Sequence, residues 1–83
     1  MKVRMTTEGG FYKDLFEGDK GQIRDFLSGF KEAKAVLKDP VNNTFAVGFT
    51  MGMNPDYSQA QKDGVFAFLT HKDNGVGKIE VIK

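Results

Sequence analysis

Asp19 to Leu37 reads DKGQIRDFLSGFKEAKAVL, and it is the one stretch of the chain with sustained helical periodicity. Ile23, Phe26, Leu27, Phe30, Ala33 and Leu37 recur at i, i+3, i+4, i+7 spacing, so at about 3.6 residues per turn they form a single apolar stripe. Asp19 with Gln22 three residues on has the capping-box pattern that satisfies orphan amides where a helix begins. At the other end Lys34 and Lys38 complement the negative pole, and Pro40 turns Asp39 away from helical geometry. The spacing predicts a helix from Asp19 to about Lys38 with an apolar stripe that a sheet must cover.

Strands are expected on both sides of it. Lys2 to Thr7 alternates Val3 and Met5 with Lys2, Arg4 and Thr6, the period of a half-buried strand that ends before Glu8-Gly9-Gly10. Phe11 to Glu17 fits either a helical turn or a short strand, and the glycines that bracket it favour a strand or an irregular segment. Thr44 to Met53 places Phe45, Val47, Phe49, Met51 and Met53 on one face and Ala46, Gly48, Thr50 and Gly52 on the other. Asn54-Pro55-Asp56 reads as a cap, an N1 proline and an acidic first-turn residue, which predicts a short helix ended by Gly64. Val65 to His71 and Val76 to Ile82 flank a segment containing Asn74-Gly75, the strongest local signal for a β-hairpin. A two-residue loop would pair Thr70 with Ile79 and Phe68 with Val81. A three-residue loop would pair Leu69 with Ile79 and leave Phe66 and Phe68 on the open face. The first register is preferred, because burying each Phe is worth roughly 1.5–3 kcal/mol.

The fold class read from these segments is α+β. One amphipathic helix packs on an antiparallel sheet of about four strands, in the chain order strand, helix, strand, strand, strand, with a short helix in the 54–63 connection. At 83 residues the chain is expected to be one domain burying roughly 60–65% of its unfolded surface. Eight Phe supply most of the large apolar area, and the absence of Cys removes any disulfide framework or thiolate metal site. The apolar run Val65 to Leu69 is far too short to span a bilayer, and no apolar segment follows Met1-Lys2-Val3-Arg4. Residence in the cytoplasm, without a membrane, is therefore the expectation.

Chemistry-bearing motifs are sparse. The only His, His71, has no Cys partners and only scattered carboxylates around it, so no metal site, catalytic residue or cofactor site is assigned. Gly48 to Gly52 lacks the Lys of a P-loop and the spacing of a dinucleotide fingerprint. The net charge of +1 gives no global pull toward nucleic acid or membrane, so electrostatic function must come from local segregation.

The predicted helix has that segregation. Counting about 100° per residue from Ile23, the basic residues Lys20, Arg24, Lys31, Lys34 and Lys38 fall within about 20° to 100°, and Asp25, Glu32 and Asp39 within about 160° to 200°. Lys20 with Arg24 and Lys34 with Lys38 are like-charged i, i+4 pairs, each costing a few tenths of a kcal/mol. A local rule broken without local gain is where function is expected. The sequence is read as a small non-enzymatic binding protein, adaptor- or inhibitor-like, meeting another protein through this basic ridge or an uncovered sheet face. Asn54, Asp56, Tyr57 and Thr50 are secondary contact candidates. The alternative is a nucleic-acid binder whose basic ridge contacts phosphates and, if the three-residue register holds, adds Phe66 and Phe68 as stacking platforms, and open sheet edges raise the expectation of a homodimer.

Overall fold

The computed structural model describes residues 1–37, 53–72 and 76–83. Among them are three antiparallel strands and two helices: β1 (Lys2–Thr7), β2 (Tyr12–Glu17), α1 (Lys20–Val36), α2 (Gln59–His71) and β3 (Val76–Ile82), in the sheet order β2-β1-β3. The expected strand from Thr44 to Met53, the residues Lys38 and Thr50, and the Asn74-Gly75 turn lie outside the described residues, apart from Met53, which is exposed.

The β1–β2 hairpin follows from its turn chemistry. Glu8, Gly9 and Gly10 form the loop, closed by the Thr7 amide donating to the Phe11 carbonyl at 2.7 Å. Gly10 takes φ +90°, the left-handed position that a three-residue hairpin loop requires. Val3 pairs with Phe16 but Arg4 with Asp14, so Leu15 is the extra residue of a bulge. That bulge lets Leu15 and Phe16 both pack against the core, where strict alternation would turn one of them outward.

α1 is built as its sequence implies. The Asp19 carboxylate accepts from the Gln22 amide and the Gln22 side chain accepts from the Asp19 amide, both at 2.9 Å, completing the capping box. Ile23, Phe26, Phe30 and Ala33 are buried, and Phe26 stacks on Phe16 of β2 at 4.7 Å between ring centroids. Val3 of β1 and Val65 and Phe68 of α2 complete the buried cluster.

The second half of the chain differs from the sequence reading. Residues 65–71, expected as the first arm of a hairpin, are the last two turns of α2, and both expected registers fall with them. β3 pairs instead with β1, Val3 opposite Val81 and Met5 opposite Ile79. The apolar run VFAFLTH has strand-like composition, yet Ala60, Gly64, Val65 and Phe68 recur at helical spacing and bury together, so packing on α1 overrides propensity. The helix also starts later than expected. Ser58 is its cap, accepting from the Gln61 amide, while Asn54 accepts from the Asp56 amide at 2.9 Å in a turn that precedes the helix.

Gly64, read as a stop, lies inside α2 at its crossing with α1. A Cβ there would fall on the Phe26 carbonyl, and one at Gly29 would fall on the Gln61 carbonyl, so the two helices touch backbone to backbone at reciprocal glycines. The described residues thus form two layers, with both helices tied to the Val3 side of the sheet.

Candidate functional site

α1 lies between two neighbours, and its two charged flanks meet different ones. The acidic flank faces the start of α2. Ser58 donates its hydroxyl to Asp25 at 3.0 Å, and the Tyr57 hydroxyl donates to Glu32 at 2.6 Å. That hydrogen bond, with partial burial added, pushes the Tyr57 pKa up to about 12, because the phenolate would face a carboxylate. Asp25 also gains from the positive pole of α2, whose first turn carries no acidic residue of its own.

The basic flank has no such use. Lys20, Arg24, Lys31 and Lys34 are all exposed along α1, as their spacing implies. Among the described residues Lys20, Lys31 and Lys34 make no ion pair or hydrogen bond, and Arg24 reaches only its chain neighbour Asp25, at 3.9 Å. Lys34 lies in the last turn, where a cation complements the negative pole for a few tenths of a kcal/mol.

Where this flank approaches β3 there is a cleft of about 210 Å³. Leu27, Phe30 and Ile79 contribute its apolar side chains, Gly77 lies at the extra position of the β3 bulge, and Lys31 and Lys34 stand on the helix side. Leu27 and Ile79 remain half-buried, so each keeps apolar surface that a ligand could cover. A second cleft, of about 240 Å³, is lined by Lys2, Asp14, Leu15, Phe16 and Glu17, but its lysine already faces Asp14 at 3.8 Å.

The outer sheet face is charged yet internally matched. Arg4 donates from Nε to Asp14 at 2.9 Å and lies 4.3 Å from the ring centroid of Tyr12. The hydrogen bond from Arg4 holds the Asp14 carboxyl below its ordinary range. Lys78 pairs with Glu80 at 3.7 Å across the β3 surface.

The secondary candidates separate. Tyr57 packs against the core with its hydroxyl engaged by Glu32, and Asn54 is occupied by its turn, while Asp56 remains exposed. Phe66 and Phe68 stand on α2 rather than on the sheet. Phe68 is 9% exposed and meets Phe30 edge to face at 5.2 Å, which removes the paired stacking platform that the nucleic-acid alternative added to the basic ridge. His71 ends α2, its pKa lowered by partial burial and then by Lys13. The residue missed at sequence level is Ile79, whose place beside α1 depends on β3 pairing with β1. A signal for Leu27 existed, since it sits at about 40° on the helical wheel, inside the arc of the lysines.

Among the described residues no group of carboxylates, His or Cys is arranged to hold a metal ion, and no helix is long and apolar enough to cross a membrane. Comparison with protein-family models, curated proteins and solved structures finds no match to this chain.

Proposed function

We propose that this chain is a small non-enzymatic binding protein whose partner is another protein presenting an acidic surface, contacted through Lys20, Arg24, Lys31 and Lys34. The observation that carries this reading is the unequal fate of the two flanks of α1. Asp25 and Glu32 are engaged by Ser58 and Tyr57, whereas the three lysines opposite have no partner among the described residues. Self-repelling charges that no side chain among the described residues pairs beyond Asp25 are explained by an anionic surface that is met from outside. An adaptor or inhibitor fits this arrangement, because binding needs only a rigid scaffold and a complementary patch.

The test is affinity capture from the native host with the original chain and with an Arg24→Ala, Lys31→Ala double variant. Loss of the captured protein by the variant, with the thermal midpoint unchanged, supports the reading. Equal capture at low salt defeats it. Should the captured partner be nucleic acid, log affinity would fall with log salt at about 0.9 per phosphate contacted, a steeper dependence than an acidic protein shows.

A further inference from the structure

We propose that the cleft between α1 and β3 is the anchor site for an acidic protein segment, with one apolar side chain resting on Leu27, Phe30 and Ile79 and carboxylates held by Lys31 and Lys34. The proposal rests on the reading of the basic flank as a partner-binding surface and specifies the chemistry of what binds there.

Size selects the occupant first. A volume of about 210 Å³ is below the roughly 300–1,000 Å³ of sites that enclose a whole small ligand, but it accommodates a single leucine or phenylalanine side chain presented by a larger partner. Charge selects it second. Lys31 and Lys34, three residues apart on α1, stand on one face of the helix beside the apolar floor and have no partner among the described residues. Their ammonium groups are point charges on flexible stems, which suits carboxylates at several positions better than one fixed bidentate geometry. Neither the outer sheet face nor the cleft at Lys2 offers this combination, since the basic groups there already face Asp14 or Glu80. An apolar anchor within a rim of complementary charge is the arrangement in which a few contacts carry most of the binding energy.

The probe is a short fluorescein-labelled peptide of glutamates around one central leucine, followed by anisotropy and by amide chemical shifts of the full chain. Two control peptides replace the leucine by alanine, or all glutamates by glutamine. Binding is expected with shifts concentrated at Leu27, Lys31, Lys34, Gly77 and Ile79. Loss of the peptide leucine should weaken it by roughly ten-fold, about 1.4 kcal/mol. The Lys31→Glu, Lys34→Glu variant, which alters only exposed positions, should abolish it. The cleft proposal is overturned if the alanine peptide binds as well as the leucine peptide, if the shifts map elsewhere, or if no binding is seen at about millimolar peptide. A short single-stranded oligonucleotide that produces the same shifts more tightly than the peptide overturns it as well. These failures are distinguishable from failure of the broader reading. Loss of the native partner in the Arg24→Ala, Lys31→Ala variant, with leucine-insensitive peptides, removes the cleft and leaves the basic flank standing.

Discussion

The acidic and basic flanks of α1 look equivalent in sequence, each a row of like charges on one side of an amphipathic helix, but the fold treats them differently. The acidic row is used internally: Asp25 and Glu32 receive hydroxyl donors from Ser58 and Tyr57, which fixes where α2 begins against α1. The basic row borders a cleft beside β3 and is bonded to nothing beyond Asp25 among the described residues. Charge sorting on a helix is therefore two features with separate causes. One half serves docking of the chain on itself, and the other half is the surface proposed to meet a partner. The contrast can be broken or sharpened by substitutions that act on one flank at a time.

The largest effect is expected where α2 is held in place. Gly64→Val forces a side chain into the Phe26 carbonyl, and Gly29→Val does the same to the Gln61 carbonyl. Overpacking of this kind costs about 3 kcal/mol or more at backbone contacts, a large share of the roughly 4–12 kcal/mol total stability of a chain this size. Alanine at either position would gain only about 1 kcal/mol of helix propensity, too little to offset the clash. Urea unfolding should show both valine variants losing about 3 kcal/mol or more, with midpoints shifted well below that of the original chain. Near-native stability in either would mean that the helices do not cross at these glycines.

A middle-sized effect is expected on the acidic flank. Tyr57→Phe removes the hydroxyl that Glu32 accepts from, and should cost about 1.5 kcal/mol, the low end for a hydrogen bond to a charged group because Glu32 is exposed. The pH dependence gives a sharper signature. With the folded pKa raised to about 12 against an ordinary value near 10, the unfolded chain releases the proton first. The contribution of this tyrosine is therefore complete below about pH 10 and is lost as pH rises from there toward 12. The stability difference between the original chain and Tyr57→Phe, followed from about pH 8 upward, should shrink across that window. A difference that stays constant would show that the hydroxyl does not bond Glu32 in solution. Ser58→Ala should cost about 1 kcal/mol, since it removes the α2 cap together with the donor to Asp25.

These positions also show what could be read from sequence and what could not. α1 and β1 were legible because their cues are local: a capping box, an apolar stripe, a period of two closed by glycines. β2 was half legible, since the glycines marked its ends but the bulge at Leu15 blurred its alternation. α2 was misread because the decisive facts are tertiary. Gly64 resembles a helix stop until Phe26 lies against it, and Val65 to His71 resembles a strand until Phe30 receives Phe68. The error carried into the candidate site. The lysine arc on α1 was visible from spacing alone, but its pairing with Ile79 required β3 to sit beside β1, and the engagement of Glu32 required Tyr57 to lie at the base of α2. Glycine inside an otherwise helical window is the local cue to this crossing, because a residue costing about 1 kcal/mol in a helix implies a close approach that repays it.

The smallest effect on stability, and the most informative about function, is expected on the basic flank. Neutralising Arg24 and Lys31 removes two exposed charges, one 3.9 Å from its neighbour Asp25 with its side chain 83% exposed, the other without a partner among the described residues. Exposed pairs of this kind contribute little, and the double alanine variant relieves repulsion between Lys20 and Arg24, spaced four residues apart on α1, so stability should move by no more than about 0.5 kcal/mol, and upward if at all. The matching change on the other flank, Glu32→Gln with Asp25→Asn, should lower stability, because those carboxylates receive the hydroxyls of Tyr57 and Ser58. Urea midpoints of the two double variants therefore test the asymmetry directly, with no partner in hand. A loss on the basic side as large as that on the acidic side would mean that the lysines hold the fold together, and the case for reserving them for a partner would fail. A loss confined to the acidic side would leave the basic row as charge that folding does not require, the condition that the proposed role of these lysines in meeting an external anion demands.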